Sequence, residues 1–354
     1  MAFHLFGSKS KIGIDIGTAS IKMVELEKKN SRFELKNYGL FELKNVKTSD
    51  KAPTPTTPSI LKLPDQEIAW GLKELLKKSK ISTKEAIASI PSFSTFSTVI
   101  EMPYLSESEL AKAIPFEARK YIPIPLDEVV LDWSIIGVTG QGPKPTVEIF
   151  IAAVPRDETT RYQGIMAGAG LNLKALELEN SALIRALLGN DLSATAIVNI
   201  GGRSTSILIV NKGYERLSHN YEVGGFEITK SIASSLNVSI EKAEELKKRL
   251  GMKEADDNVI TQAMVSLIDM MAFETKRTIS AYETTQRQKI ARVFLVGGMV
   301  NMPNFLNYFK QKLGQEVYIG NAFARIIYPQ TLTPAIGELA STFAVAAGLA
   351  MRDI

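Results

Sequence analysis

Residues 12–26 read IGIDIGTASIKMVEL. Isoleucines at alternate positions, Ile12, Ile14 and Ile16, predict a β-strand that runs into a tight turn at Gly17, and a second strand leaves that turn. A glycine-containing hairpin turn exposes backbone N–H groups that can bind phosphate. The same residues also suit an ordinary β-hairpin, because short glycine motifs are common by chance. The rest of the chain has to decide between these two interpretations.

Polar side chains surround this turn in the pattern that a bound nucleotide requires. Asp15 stands beside the turn, where a carboxylate can hold a divalent metal directly or through water. Lys22 follows the turn and would add a positive charge for the outer phosphates. Thr18 and Ser20 lie within the turn itself. The stretch is therefore a candidate phosphate-binding hairpin.

Composition narrows the possible functions. Hydrophobic residues make up 45% of the 354 residues and charged residues 23%, which is typical of a globular chain with a sizeable core. The net charge of +4 comes without an arginine-rich or aromatic-interleaved basic stretch, so we expect no nucleic-acid binding. The chain has no cysteine and two histidines, His4 and His219, so a disulfide, a thiolate metal site and a histidine metal site are excluded.

The sequence also predicts where the protein acts. No run approaches the roughly 18 apolar residues of a transmembrane helix, and the first residues lack the apolar segment of a signal peptide. We expect a cytoplasmic protein that would associate with a membrane only through a partner.

A second stretch, Ala194–Val210, repeats the first. It reads ATAIVNIGGRSTSILIV, so the triplet NIG at 199–201 matches the triplet DIG at 15–17, and Ser204 falls where Ser20 falls. Both stretches predict strand, turn and strand with one polarity pattern. A repeated supersecondary unit at long separation indicates two related halves.

Two more glycine pairs extend this pattern. Gly297-Gly298 follows the buried strand predicted at Lys289–Val300, and Gly224-Gly225 leads into a helix. Several glycine turns that follow strands are much less frequent by chance than one such turn. We therefore favour phosphate binding over the plain hairpin.

Three further segments carry structural predictions. Ser106–Tyr121 predicts a helix with a capping box that is kinked or broken at Pro115. Ile336–Met351 predicts one terminal helix, rich in alanine and glycine and suited to close packing. Lys47–Ser59, KTSDKAPTPTTPS, predicts an extended loop.

The order of these motifs resembles the superfamily of actin, sugar kinases and heat-shock chaperone ATPases. The resemblance implies an α/β actin-like ATPase fold of two RNase-H-like halves around a nucleotide cleft, with ATP and Mg²⁺ as cofactors. It also implies a catalytic role for Asp15, which would hold the metal, and for Glu179, at the position that acts on the attacking water. The implied nucleotide contacts are Asp15, Gly17, Thr18, Ser20, Lys22, Asn199, Gly201, Gly202, Gly225, Glu244, Lys247, Gly297, Gly298 and Met299.

An α+β segment is inserted within the first half of the chain. Within the superfamily, an insert at this place resembles the arrangement of FtsA and PilM, which narrows the choice of family. Within the insert, IPFEARKYIPIPLD at Ile114–Asp127 is similar to the PilM family of type IV pilus assembly proteins, as is GGFEIT at Gly224–Thr229. The implied subdomains are 1A (1–85, 171–193 and 336–354), the insert 1C (86–170), 2A (194–229 and 289–335) and 2B (230–288).

The PilM resemblance implies a scaffold at the cytoplasmic face of the inner membrane. Such a scaffold would hold the N-terminal cytoplasmic tail of a PilN-like membrane protein by its insert, and would contact other pilus assembly components. The aromatic run Phe93–Tyr104 and the segment at 114–123 are candidates for the peptide groove. The same apolar residues are also what the core of the insert requires.

The second phosphate motif departs from the superfamily, because fast hydrolysing relatives have Asp where this chain has Asn199. A neutral amide supplies no charge and accepts no proton, so we expect ATP binding with weak or negligible hydrolysis. The alternative is that the family tolerates either residue.

Two other functions stay open at this point. A small-molecule kinase of the superfamily would need a carboxylate base, for which Asp15 and Glu179 are candidates. An FtsA-like division protein or filament-forming actin homologue would depend on surfaces that the sequence does not reveal.

Overall fold

The computed structural model describes residues 10–43, 64–139, 145–252 and 259–353. The predicted loop Lys47–Ser59 lies outside the described residues. The described strands are β1 (Ser10–Ile16), β2 (Ser20–Lys29), β3 (Arg32–Glu42), β4 (Glu85–Ile90), β5 (Phe96–Pro103), β6 (Val129–Thr139), β7 (Thr146–Pro155), β8 (Asn172–Leu178), β9 (Thr195–Ile200), β10 (Thr205–Asn211), β11 (Tyr214–Tyr221), β12 (Arg292–Val296), β13 (Val317–Ile319) and β14 (Ile326–Ile327). The described helices are α1 (Asp65–Lys78), α2 (Glu107–Ala118), α3 (Arg156–Gly168), α4 (Glu179–Leu187), α5 (Gly225–Leu236), α6 (Ile240–Leu250), α7 (Val259–Gln286), α8 (Phe305–Leu313), α9 (Ile336–Thr342) and α10 (Ala344–Ala350).

Two large sheets share one topology. The first has the order β3-β2-β1-β4-β8, in which three antiparallel strands lie beside two parallel ones, and the short β14 is added next to β3. The second has the order β11-β10-β9-β12-β13 with the same strand directions. The repeat of the triplets at 15–17 and 199–201 therefore extends to a whole sheet in each half of the chain.

Helix α10 joins the two halves. All of its residues are buried, and its alanines share a core with strands of both large sheets. Its backbone touches β1 and α4 directly. A side chain at Gly13 would place Cβ 1.9 Å from the carbonyl oxygen of Ala346, and one at Gly348 would place Cβ 2.0 Å from that of Ala182. Glycine is required at both positions because no other residue leaves room for the contact.

The prediction of one terminal helix over Ile336–Met351 is wrong. The chain bends by 90° between residues 330–342 and α10, at Phe343. The bend frees the carbonyl oxygen of Ser341 from helical bonding, and this oxygen accepts a hydrogen bond from the N–H of Gly297 at 3.0 Å. Phe343 is buried with its ring edge against Tyr38, at 5.6 Å between ring centroids.

A third sheet, in the order β5-β7-β6, forms the insert together with α2 and has its own apolar core. Two elements within the predicted bounds 86–170 lie in the first half instead. Strand β4 pairs with β1 and β8, and α3 contributes Tyr162, Ile165 and Met166 to the core of the first sheet. We therefore propose narrower bounds for the insert, residues 91–155.

Helix α2 differs in part from its prediction, and strand β11 was not predicted at all. The capping box is present, since the N–H of Ser106 donates to the Glu109 carboxylate at 2.9 Å, but the helix continues through Pro115 without a break. Strand β11 was not predicted because its sequence, YERLSHNY, lacks the apolar alternation of a strand that is buried on one face.

Among the described residues, no single helix is long and apolar enough to cross a membrane. Residues 330–342 and α10 reach that length and composition only as a pair, and the pair is bent.

Candidate functional site

The two predicted hairpins have the same turn geometry. In the first, the N–H of Gly17 donates to the carbonyl oxygen of Ser20 at 3.1 Å, and in the second the N–H of Gly201 donates to that of Ser204 at 2.9 Å. A Cβ at either glycine would lie 3.0–3.1 Å from the accepting oxygen, which is closer than a side chain normally packs. The sequence repeat is therefore a repeat of backbone conformation.

The two turns meet face to face. A Cβ at Gly202 would lie 2.6 Å from Cβ of Ala19, 3.1 Å from the hydroxyl of Thr18 and 3.3 Å from the backbone nitrogen of Ala19. Two strand pairs from opposite halves of the chain thus converge at one point. The predicted first and second phosphate motifs lie side by side.

The start of α5 packs against the second turn. The N–H of Gly225 donates to the carbonyl oxygen of Gly201 at 3.0 Å, and the N–H of Phe226 donates to that of Gly202 at 2.7 Å. A Cβ at Gly224 would lie within 2.8 Å of three backbone atoms of the turn. The pair Gly224-Gly225 therefore permits direct contact between the start of α5 and the second hairpin.

The third glycine pair follows β12 beside the second hairpin. Gly297 has φ +101°, and a Cβ there would lie 2.1 Å from the carbonyl oxygen of Ile200, so only glycine fits. A Cβ at Gly298 would meet no atom of the described residues within 4 Å. Met299 is buried, and its sulfur lies 4.0 Å from the Cβ position of Gly225. This turn combines a tightly packed glycine with one that faces open space.

Asp15 is a buried carboxylate at the base of the first hairpin. Its Oδ2 accepts a hydrogen bond from Lys22 Nζ at 3.1 Å, and its Oδ1 accepts one from the hydroxyl of Ser89 at 3.4 Å. Lys22 lies directly across the hairpin from Asp15 in the strand pairing. The predicted acid and the predicted lysine therefore form one ion pair.

Glu179 is the first residue of α4. Its Oε2 accepts hydrogen bonds from the backbone N–H of Ser92 at 3.3 Å and from the Ser92 hydroxyl at 3.5 Å. Burial and then the negative charge of Asp15 raise the pKa of Glu179 to about 8. The raised pKa reduces the fraction of this carboxyl group that is ionised at neutral pH.

Lys247 is held by three oxygen atoms on α5 and α6. Its ammonium group donates to the Gly225 carbonyl at 2.9 Å and to the Thr229 hydroxyl at 2.7 Å, and it lies 2.6 Å from the Glu244 carboxylate. Burial lowers the pKa of Lys247 even though the ion pair with Glu244 acts in the opposite direction. For Glu244, burial alone would raise the pKa, but the positive charge of Lys247 outweighs it and the pKa is lowered. The pair joins α6 to the start of α5, next to the second hairpin.

Asn199 occupies in the second hairpin the place that Asp15 has in the first. It lies on β9 between Ser206 of β10 and Val296 of β12. The second hairpin therefore has neither the acid nor the lysine that the first has at these positions.

Sequence reasoning missed a buried network beside Glu179. Asn180 Nδ2 donates to Glu215 Oε2 at 3.0 Å, and the Ser97 hydroxyl donates to Glu215 Oε1 at 2.6 Å. The Ser92 hydroxyl donates to Asn180 Oδ1 at 3.0 Å. Burial raises the pKa of Glu215. The network connects α4, the insert strand β5 and the edge strand β11, and no local sequence signal marks residues so far apart.

The structure thus gathers the sequence-predicted residues into one linked cluster: the two hairpins meet, α5 and β12 flank the second, and Glu179 feels the charge of Asp15. Their individual roles stay predictions. Within the described ranges, no group of three or more His, Cys, Asp or Glu side chains could hold a metal by itself. A metal at Asp15 would therefore need water or phosphate oxygens as its other ligands.

Comparisons with known proteins agree with this geometry. A family model described as the type IV pilus assembly protein PilM matches residues 13–354. The structure of a PilM–PilN type IV pilus biogenesis complex has a TM-score of 0.81 at 21% identity, over 98% of each chain. MreB5 of Spiroplasma citri bound to ADP has a TM-score of 0.52 at 15% identity, over 96% of this chain and 95% of that chain.

One curated relative matches only in part. The ethanolamine utilization protein EutJ of Escherichia coli strain K12 is 28% identical over 148 residues, which are 42% of this chain and 48% of EutJ. The chain therefore spans about half the length of that curated relative.

Two sheets of one topology with facing glycine turns, together with these likenesses, define an actin-like ATPase fold. The family model covers almost the whole chain, and the chain belongs to the PilM family of type IV pilus assembly proteins. The fold class and the family predicted from the sequence are both confirmed.

Proposed function

We propose that this protein is an ATP-binding scaffold of the type IV pilus assembly platform at the cytoplasmic face of the inner membrane. The observation that carries the proposal is the meeting of two matched hairpins at Gly202 and Ala19. Facing glycine hairpin turns suit a phosphate chain that both halves hold. The ADP found in MreB5, whose fold this chain shares, supports a nucleotide of the same class.

The glycines around the cleft fit an adenine nucleotide. Gly298 faces open space beside β12, and the adjacent wall is formed by Met299 and the Gly225 backbone. An apolar side chain and bare backbone suit a flat base, while the hairpins on the other side suit phosphates. Mg²⁺ would be held by Asp15, mostly through water, because one carboxylate oxygen is already bonded to Lys22.

Two features support weak hydrolysis. Asn199 offers no charge to a metal and no base to a water molecule. Glu179, the residue predicted to act on the attacking water, has a pKa of about 8 because of burial and the charge of Asp15. A carboxyl group accepts a proton from water only in its ionised form, so the raised pKa would slow hydrolysis, and the nucleotide would set a conformation rather than be turned over quickly.

The partner in this proposal is the N-terminal cytoplasmic tail of a PilN-like membrane protein, held by the insert. The PilM–PilN complex to which the chain is similar supports that partner. In the candidate groove segments, Ile100, Met102, Ile114 and Ile122 belong to the core of the insert. Four aromatic residues of these segments are exposed instead and are available to a peptide: Phe93, Tyr104, Phe116 and Tyr121.

Calorimetric titration with a synthetic tail peptide tests this function. We expect the full-length protein to bind the peptide, and Phe116→Ala to weaken binding because it removes a side chain that is 68% exposed on the insert. Trp70→Ala is the matched control, since Trp70 is 57% exposed on α1, outside the insert. Absence of binding both with and without ATP and Mg²⁺ would contradict the scaffold role.

A further inference from the structure

Arg203 is the third residue of the second hairpin turn, directly after the glycine that meets Ala19. Its guanidinium carbon lies 4.3 Å from the centre of the Phe226 ring, at the start of α5. A guanidinium group that rests its face on an aromatic ring keeps its N–H groups in the plane of the guanidinium, free to donate sideways. The ring therefore holds a cation at the hairpin without using its hydrogen-bond donors.

The charges of the neighbouring cations are already compensated. Lys22 is paired with Asp15 and Lys247 with Glu244. In contrast, no carboxylate within the described ranges lies within 4.0 Å of the Arg203 guanidinium. The closest acid on α5 in sequence, Glu227, is bonded to the N–H of Gly224 at 3.1 Å.

The start of α5 uses its first two backbone donors to hold the second hairpin. The first two backbone N–H groups of this helix are bonded to the Gly201 and Gly202 carbonyls. These two donors are therefore not available to a phosphate group, and Arg203 is the positively charged side chain that the turn itself supplies.

The internal repeat shows what has changed between the hairpins. Arg203 stands where the first hairpin has Ala19, and Asn199 stands where it has Asp15. The first hairpin thus carries an acid and a lysine that neutralise each other, whereas the second has no acid and has an arginine without a carboxylate partner in the described part of the chain. A positive turn without a metal-binding acid suits direct recognition of phosphate oxygens, which the planar guanidinium binds with two parallel hydrogen bonds.

We propose that Arg203 is a phosphate-binding residue of the nucleotide site and makes nucleotide binding less dependent on Mg²⁺. The inference rests on the proposed function, because it assigns a contact within the same nucleotide site. It predicts that this side chain contributes to the binding of the phosphate groups of ADP and ATP and not to the binding of the adenosine group.

Calorimetry with ATP, ADP and AMP, each with Mg²⁺ and with EDTA, tests the proposal. We expect Arg203→Ala to weaken ATP and ADP binding by about tenfold or more, the usual effect of losing a charge-assisted hydrogen bond, with a smaller effect on AMP. The ATP affinity of Arg203→Lys should lie between those of Arg203→Ala and the unaltered protein, because lysine keeps the charge and loses the planar fork. Arg119→Ala is the matched control, since this arginine also stacks on a phenylalanine, Phe116, but lies in the insert.

EDTA should weaken ATP binding to the unaltered protein by less than about tenfold.

The outcomes separate this proposal from the proposed function. If the unaltered protein binds ATP and both Arg203 variants bind it equally well, Arg203 does not bind phosphate and the proposed function stands. If the unaltered protein binds no nucleotide, both proposals fail. Should Arg203→Ala not fold, Arg203→Lys decides, because unchanged ATP affinity in a folded Lys variant overturns the assignment.

Discussion

Gly202 in the second hairpin lies directly against Ala19 in the first, so that a Cβ at Gly202 would sit 2.6 Å from the Ala19 Cβ. This contact joins two strand pairs that are more than 180 residues apart in the sequence. It places the predicted second phosphate motif where a single ligand could touch both halves of the chain. The close approach depends on the absence of a side chain at this glycine.

Gly202→Val should therefore separate the two turns. We expect ATP affinity to fall by about tenfold or more, because the hairpins can no longer hold one phosphate chain in the geometry that both need. Gly164→Val in α3 is the control, since a Cβ there would meet no atom within 4 Å. Calorimetry gives the affinities and thermal unfolding shows whether each variant is folded. Unchanged ATP affinity in a folded Gly202→Val protein would show that the turns do not close on the nucleotide.

Lys247→Met should destabilise the protein. The substitution leaves the Glu244 carboxylate and the Thr229 hydroxyl without their buried cation, and we expect the free energy of unfolding to fall by about 3 kcal/mol. Lys248→Met is the matched control, because Lys248 is exposed and its ion pairs with Glu244 and Glu42 are 3.5 and 3.7 Å long. Such surface pairs contribute about 1 kcal/mol or less. Equal effects of the two substitutions in urea unfolding would contradict the buried role of Lys247.

Glu215→Gln should flatten the dependence of stability on pH. Burial raises the pKa of Glu215 above the ordinary value of a glutamate side chain. Between that value and the folded-state pKa, the folded protein binds more protons than the unfolded chain, so this group's contribution to stability is lost as the pH rises. The glutamine has no such titration and should reduce the fall in thermal midpoint on going from about pH 5 to about pH 8. A steeper fall in the variant would mean that the carboxylate is stabilised in its charged form.

Asn199→Asp should increase the rate of ATP hydrolysis. The substitution restores a charge that can bind Mg²⁺-bound water and accept a proton, and such groups contribute about a hundredfold or more in favourable cases. We expect an increase of about tenfold, limited because the raised pKa of Glu179 leaves only part of this carboxyl group ionised and able to act as a base. Phosphate release measured under saturating ATP gives the rate, and the Asn199→Asp, Glu179→Gln double variant is the control that should lose the gain. A slower or unchanged rate would show that Asn199 is not what limits hydrolysis.

The hairpins and the overall fold could be predicted because their signals are local. Alternating isoleucines, a glycine turn and its repeat at residues 194–210 determine strand, turn and strand without reference to the rest of the chain. The capping box at Ser106 is likewise complete within four residues, and the structure contains it.

The features that were missed depend on contacts between distant residues. The bend at Phe343 accompanies the hydrogen bond from the Gly297 N–H to the Ser341 carbonyl, a contact between distant residues that helix periodicity does not reveal. The Glu215 network needs Ser97, Asn180 and β11 to meet, and β11 itself is too polar to be recognised as a strand. Arg203 was visible in the turn, but its lack of a carboxylate partner became evident only in three dimensions.

The central claim is that the facing hairpins bind ATP, and calorimetric titration of ATP with Mg²⁺ into the full-length protein tests it most directly. We predict one ATP bound per chain, a higher thermal midpoint that rises with ATP concentration, and a reduced affinity with a smaller thermal shift in Asp15→Ala. No heat of binding and no thermal shift in the unaltered protein, or a shift that Asp15→Ala leaves unchanged, would contradict it.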